Sequence, residues 1–295
     1  MITARSQSLL QILLWQKVSI VKFALLSVAV VIAEEMTGEV AGVLPDVPVS
    51  VLGAAIGIYV SFRTNSAYDR WWEARKLWGQ LTNSSRHITA ELFAYLPGPE
   101  LAALRRRLVL GVICYAHVLR CELRGSPLRD DPDLQRLSEE QGAAPGGTTV
   151  FLRELLIALT ERARAGQLDE RRLQSMDRTV AVFYDVQGGC ERIKNTPFPP
   201  SYGFIAEILI RAYAVVLPMA IVHELHWFAL PVAILVCLAF KLVSEVGRSL
   251  EDPFEDSATA LPLLTMSRGI ERNLRDALGE VSPAEVPRPA DGVLK

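Results

Sequence analysis

The sequence lacks the residue patterns that mark most soluble enzymes and nucleic-acid-binding proteins. Its 31 Lys and Arg residues are outnumbered by 33 Asp and Glu, and the formal net charge of −2 leaves no basic excess for phosphate contacts. No Gly-rich phosphate loop, nucleophile elbow or catalytic-triad context is present. We therefore expect neither nucleic-acid binding nor an enzyme, and the sequence predicts no catalytic residue and no cofactor.

Cysteine is also scarce, with four residues in 295. Cys114, Cys121, Cys190 and Cys237 are scattered without Cys-x-x-Cys spacing, in helical or apolar stretches. This pattern favours buried free thiols over a metal site or a disulfide framework. No small-residue cleavage site separates the first apolar run from a soluble domain, so we expect no cleavable signal peptide.

Strand-like alternation and repeats of solenoid period are missing as well, which predicts an all-α fold. The charged middle of the chain, about residues 63–200, has apolar residues at helical spacing. After a helix that follows the second apolar run, helices are predicted near 101–123, 151–165 and 170–190. The stretch 126–149 is dense in Pro, Gly and acidic residues and is predicted to be a loop.

Apolar residues concentrate instead at the two ends of the chain, although the mean hydropathy is only +0.24. Four segments are predicted to span a membrane, at about 18–33, 47–62, 202–222 and 227–243. Each is short for the ~20 residues that cross a bilayer, and any one of them could be a buried helix of a soluble protein. The four together favour a multi-pass membrane protein.

The charges that flank these segments predict one common orientation. The connection between the first two segments is acidic, with Glu34, Glu35, Glu39 and Asp46 and no basic residue. Basic residues lie at the opposite ends of the segments: Arg5, Lys17, Lys22, Arg63, Arg70, Arg75, Lys76, Lys241 and Arg248. Because cytoplasmic loops carry the excess of Lys and Arg, we expect both termini and the middle segment to be cytoplasmic.

Two charged patterns accompany the last two segments. His223 and His226 are three residues apart, one fewer than in the His-Glu-x-x-His zinc motif, so an interfacial loop is favoured over metal binding. Glu207 and Arg211 lie one turn apart inside the third segment, where they can pair and reduce the cost of charge at membrane depth. Such a pair either serves function or fixes helix packing, and both interpretations stay open.

The second segment contains a regular apolar stripe. Ala54, Ile58 and Phe62 recur every fourth residue and so line one helix face about 12 Å long. Gly53 and Gly57 form an adjacent face that another helix can approach closely. The stripe is either a packing surface or, if several copies surround an axis, a narrow constriction that gates ions by dewetting.

Three stretches resemble bestrophins, and the likeness is closest to the prokaryotic members. Residues 61–86 (SFRTNSAYDRWWEARKLWGQLTNSSR) resemble the segment that follows the bestrophin pore helix, and residues 190–222 resemble the entry into the third span. Glu251 to Phe254 is similar to the acidic turn of the family. The likeness covers nearly the whole chain.

The resemblance implies one channel domain over residues 1–295, with a cytosolic helical region at about 63–200 and a C-terminal segment at 244–295. It implies a homopentamer that conducts small monovalent ions through one axial pore. The implied location is a lipid bilayer, namely the inner membrane of a bacterium. The implied pore neck is Ala54, Ile58 and Phe62, and the implied cytosolic aperture is Ile193. Since Ala54 stands where the family has a bulky residue, we expect a wider outer neck.

One departure from the family concerns metal ions. Eukaryotic bestrophins hold calcium in an acidic run that corresponds to residues 252–260 here, but Ser257 and Ala260 replace later carboxylates. A calcium site needs six to eight oxygen ligands. We therefore expect no structural calcium and no metal site.

Charged residues near the predicted pore give opposing indications of ion selectivity. Prokaryotic members are associated with sodium and potassium, and Glu34 and Glu35 at the outer entrance favour cations. Arg63, directly after Phe62, either faces the pore and favours anions or forms a salt bridge. Our expectation is cation conduction, with an anion channel, a secondary transporter or a membrane scaffold as alternatives.

Overall fold

The computed structural model describes residues 16–40, 48–142, 146–283 and 285–287. Arg5 and Asp46, two of the charges that flank the predicted spans, and Val47, the start of the second predicted span, lie outside these ranges. Within them the chain is all-helical and has no β-strand, as predicted. The helices are α1 Lys17–Thr37, α2 Val49–Tyr95, α3 Ala102–Arg124, α4 Pro132–Gln141, α5 Thr148–Arg164, α6 Glu170–Asn195, α7 Pro200–Leu225, α8 Ala229–Ser249 and α9 Leu263–Leu278.

Helix α4 lies where the sequence predicted a loop, so that prediction was wrong for its central part. The Asp131 carboxylate caps the helix by accepting a hydrogen bond from the Leu134 backbone N–H at 3.1 Å. Pro132 occupies the first turn, where its missing N–H costs nothing. Leu134 and Leu137 are buried and hold the helix on its neighbours. The sequence did not predict this helix, because two leucines among so many acidic residues give only a weak helical periodicity.

Helix α2 is longer than either of the two elements predicted for its region. It runs without a break for 47 residues and joins the second apolar segment to the amphipathic helix after it. No proline interrupts this stretch, so nothing in its backbone chemistry forces an end.

The described chain forms two compact units, and their boundaries fall within α2, before α7 and after α8. Of the described residues, unit one comprises those between 71 and 197 and those between 252 and 287. In it α3 packs against α4, α5, α6 and α9, so α3 is buried over most of its length. The Tyr115 ring meets the Phe183 ring edge-on at 5.5 Å, and its hydroxyl donates to the Phe183 carbonyl at 3.1 Å.

Unit two comprises residues 16–70 and 198–251 of the described chain. Helices α1, α7 and α8 pack against one another, and the α2 residues Ile56 and Val60 complete their core. The outer surface is apolar to a degree that favours contact with lipid or protein. Its exposed large side chains include Val18, Val21, Leu25, Phe204, Ile208, Leu235 and Val246.

Within the described residues, one helical run is long and apolar enough to cross a membrane. This run extends over Pro200–Ser249 and contains α7, a short 3-10 turn and α8. It covers the third and fourth predicted segments. The first segment carries Lys22, Glu34 and Glu35 within its helix, and its role as a span remains a prediction, as does that of the second segment.

All four cysteines are free and buried, as predicted. Burial raises the pKa of Cys114 and Cys190 to about 12, and that of Cys121 to about 11. Since the thiolate is the reactive form, these three thiols are inert at neutral pH.

A buried carboxylate connects three helices of unit one. Glu271 of α9 receives two hydrogen bonds from Arg136 of α4, at 2.8 and 2.9 Å, and one from Arg275 at 2.9 Å. His117 of α3 contacts the same carboxylate at 3.2 Å. Burial raises the pKa of Glu271, but the hydrogen bonds from His117 and Arg136 outweigh it and hold the pKa well below its usual range.

We expect Glu271→Gln to lower the free energy of unfolding by about 3 kcal/mol, because it breaks a buried ion pair while Arg275 keeps Glu140 as a partner. Since the folded-state pKa is depressed, the stabilisation is present above a pH of about 4.3, the usual Glu pKa, and is lost on acidification below it. Thermal unfolding in detergent across this pH range measures the effect.

The matched control is Glu139→Gln, which changes an exposed carboxylate on α4. We expect that variant to unfold like the unaltered protein. Equal destabilisation by both substitutions would contradict a specific role for the Glu271 network.

Candidate functional site

The stripe Ala54, Ile58 and Phe62 lies on the exposed face of α2. Ile58 is 59% and Phe62 68% exposed, and Ala54 is exposed as well. Ile56 and Val60, on the opposite face, are 1% exposed and belong to the core of unit two. Packing within the chain therefore leaves the stripe exposed, and its role as a neck remains a prediction.

Close helix contacts fix the buried face of α2. A Cβ added at Gly53 would lie 2.6 Å from the Tyr213 hydroxyl oxygen of α7, too close for any larger residue without movement. A Cβ at Gly57 would lie 3.5 Å from the Phe240 ring of α8. The sequence predicted a small-residue face here, and these neighbours identify the helices that approach it.

Arg63 points into unit two rather than away from it. Its guanidinium donates from Nη1 to the backbone oxygen of Ser244 at 3.1 Å and to the hydroxyl oxygen at 3.0 Å. Nη2 pairs with Glu251 Oε1 at 2.5 Å. Arg63 is only 4% exposed. The sequence left open whether Arg63 faces a pore or forms a salt bridge, and in this structure it forms the salt bridge.

The two histidines of the α7–α8 connection lie beside the acids at the end of α1. His223 Nδ1 is 3.3 Å from Glu34 Oε1, and His226 Nδ1 is 3.9 Å from Glu35 Oε1. The backbone of His226 has φ +46°, an uncommon value for a residue with a side chain. Sequence reasoning missed these contacts, although both connections carry the complementary residue types.

Glu207 has two basic partners. Arg211 Nε donates to Glu207 Oε1 at 3.1 Å, one turn away on α7, as the spacing suggested. Lys241 Nζ of α8 donates to Glu207 Oε2 at 2.7 Å, which the sequence did not reveal. The carboxylate therefore lies between two cations and links α7 to α8.

Ile193 is 3% exposed and belongs to the hydrophobic core of unit one, as does Cys190. Within the chain it is a core residue, and its assignment to the aperture remains a prediction.

Among the described residues, one group of three metal-ligating side chains is close enough to share an ion, namely His117, Asp131 and Asp133. Guanidinium groups already occupy the neighbourhood: Arg120 Nη2 is 2.6 Å from Asp131 Oδ2, and Arg268 Nε is 3.0 Å from Asp133 Oδ2. These charges satisfy the carboxylates and disfavour a further cation.

The acidic turn after α8 is likewise balanced by basic side chains of unit one. Lys194 Nζ is 2.9 Å from Asp252 Oδ2, while Oδ1 accepts the Phe254 N–H at 3.0 Å. Arg124 Nη1 is 3.5 Å from Asp256 Oδ1. Lysine and arginine thus supply positive charge to this acidic turn.

Comparison with known proteins gives the relatives of this chain. A sequence profile for a family described as bacterial/fungal bestrophin protein matches residues 1–276. A voltage-dependent anion channel-forming protein of Ralstonia nicotianae is 34% identical over 247 residues, which are 81% of this chain and 79% of the relative. Protein YneE of Escherichia coli, which carries the same functional name, is 34% identical over 250 residues, or 81% of this chain and 78% of the relative.

Solved structures are similar to the fold as well. A bacterial bestrophin homolog from Klebsiella pneumoniae has a TM-score of 0.77 and 30% sequence identity, over 88% of this chain and 97% of that chain. A singly substituted form of that homolog has a TM-score of 0.79 over 90% and 99% of the two chains.

We expect neither added calcium nor a calcium chelator to change the melting temperature, because Lys194 and Arg124 already pair with Asp252 and Asp256 of the acidic turn. A structural calcium ion at 100 times its Kd adds about 2.7 kcal/mol of stability, so binding is readily detected. Thermal unfolding in detergent, with magnesium as the control ion, measures the shift. A rise in melting temperature with calcium alone would contradict this expectation.

Proposed function

Because the chain belongs to the bacterial/fungal bestrophin family, we propose that it conducts small monovalent ions across a membrane through an apolar neck formed by Ala54, Ile58 and Phe62. The exposed apolar stripe on a firmly packed helix carries this proposal. Family membership and the names of the relatives indicate a membrane channel rather than an enzyme.

The proposed channel is a homopentamer with one axial pore. A stripe on a single helix can form only one side of a constriction, so a closed ring needs several copies of the subunit. The proposed subunit is one channel domain over residues 1–295 with four spans, both termini in the cytoplasm, in the inner membrane of a bacterium. The apolar surface of unit two, including Leu25 and Phe204, is available for lipid and for neighbouring subunits.

In a ring, Ile58 and Phe62 form successive apolar layers about one helical turn apart. A narrow apolar constriction sheds water and so raises the barrier to a hydrated ion. Ala54 contributes the smallest side chain and leaves the outer layer widest. Permeation then depends on the radius at Ile58 and Phe62.

The charges in unit two favour cations. The positive charge of Arg63 is buried against Glu251, which supports a proposed pore lining without an exposed basic residue at this level. Glu35 is about half exposed and belongs to the acidic connection that the predicted orientation assigns to the outer side. A negative rim repeated around a symmetric entrance concentrates cations. The second candidate is an anion channel, which the functional names of the relatives favour.

The decisive experiment uses purified protein in planar bilayers with a salt gradient. We expect discrete unitary currents and a reversal potential on the cation side. A reversal potential on the anion side would establish the second candidate instead. A folded oligomer without current under any condition would contradict the channel, and smooth saturable uptake in vesicles without unitary events would favour a transporter.

We expect Ile58→Ala combined with Phe62→Ala to raise the unitary conductance, because truncation widens the two narrow layers. The control is Leu235→Ala, which removes an equally exposed apolar side chain from α8. That control should leave the conductance unchanged. If all these variants conduct like the unaltered channel, Ile58 and Phe62 do not line the constriction.

A further inference from the structure

The geometry points to Arg63 as a positioning residue for the neck: its buried ion pair with Glu251 fixes the rotation of α2 about its axis, and with it the direction of Ile58 and Phe62. The effect on conduction rests on the proposed function. The contacts that fix the rotation of α2 lie within unit two.

Arg63 is well placed to set this rotation, since it follows Phe62 directly. Successive side chains of an α-helix are about 100° apart, so an inward Arg63 and an outward Phe62 are fixed relative to each other. Arg63 is held at two points, Ser244 near the end of α8 and Glu251 just beyond it. Any rotation of α2 breaks one or both of these contacts.

The surroundings of the pair restrict the guanidinium further. A Cβ at Gly203, in the first turn of α7, would lie 3.2 Å from Arg63 Nη2, so α7 closes over the side chain. Thr64 Oγ1 donates to the Val243 carbonyl at 3.2 Å. The cluster therefore connects α2 to both α7 and α8 at the level of the last stripe residue.

Glu251 is itself held from two sides. While its carboxylate pairs with Arg63, its backbone oxygen accepts a hydrogen bond from Arg70 Nε at 2.8 Å. Arg63 and Arg70 lie seven residues apart on α2, about two turns along the same face. A residue beyond the end of α8 thus bridges two points of the neck helix.

Lysine cannot reproduce this arrangement fully. A planar guanidinium bonds to Ser244 and Glu251 with separate nitrogens in fixed directions, whereas an ammonium is a single point charge. Arg63→Lys therefore keeps the charge and loses part of the rotational restraint. This difference separates a positioning role from a purely electrostatic one.

The electrical test compares Arg63→Gln, Glu251→Gln and the double variant in planar bilayers. We expect each single variant to change unitary conductance or open probability several-fold in the same direction. The double variant should differ little from either single one, because both remove one shared contact. Arg63→Lys should be intermediate, and the reversal potential should stay unchanged.

Other outcomes would overturn the inference. A reversal potential that shifts in Arg63→Gln but not in Glu251→Gln would make Arg63 a pore charge. Unchanged currents in a folded oligomer would show that the pair does not influence the neck. Additive effects in the double variant would show that the two residues act independently and not through their contact. If Arg63→Gln does not assemble, Glu251→Gln and Arg63→Lys carry the same comparison.

A second measurement does not depend on conduction. Phe62→Cys introduces an exposed thiol into a chain whose own four cysteines are buried. We expect Arg63→Gln to change the rate at which a polar thiol reagent modifies this cysteine, but not the rate at Leu235→Cys. Equal rates with and without Arg63 would refute the positioning role, whereas a changed rate in a protein without channel currents would contradict only the proposed function.

Discussion

A charged group that leaves water must keep a partner of opposite charge, and this constraint shapes both compact units. In unit one it gathers Arg136 and Arg275 around the fully buried Glu271. In unit two it joins Arg63 to Glu251. Each cluster connects helices that are distant in sequence. Paired charges at these points favour the observed register, since a shifted register would leave a buried charge without its partner.

The same constraint separates the two faces of α2 in unit two. Its inner face combines close glycine contacts, at Gly53 and Gly57, with the Arg63 ion pair. Its outer face carries Ile58 and Phe62, which contribute little to the core of the subunit. Because contacts on its inner face hold the helix in position, its outer face can expose large apolar side chains. The proposed neck depends on this difference between the two faces.

Much of the fold was predictable because helical periodicity and composition are local signals. The all-helical class, the buried thiols and the approximate positions of α3, α5, α6, α7 and α8 follow from such patterns. Helix α4 was not predicted because Asp131 and Pro132, which begin the helix, are also typical loop residues.

The distant partners of the charged residues could not be predicted from the sequence. Lys241 lies 34 positions from Glu207 and Glu251 lies 188 from Arg63, and no spacing rule covers such distances.

The uncovered stripe on α2 also has a genetic consequence. In the proposed ring of identical subunits, each residue of the stripe would occur once per copy. A cell that expresses an altered and an unaltered gene together would then form mixed rings, most of which contain at least one altered copy at Ile58 or Phe62. Substitutions on this face are therefore expected to act dominantly. Substitutions that only prevent folding, such as those in the core around Trp78, remove subunits before assembly and behave recessively.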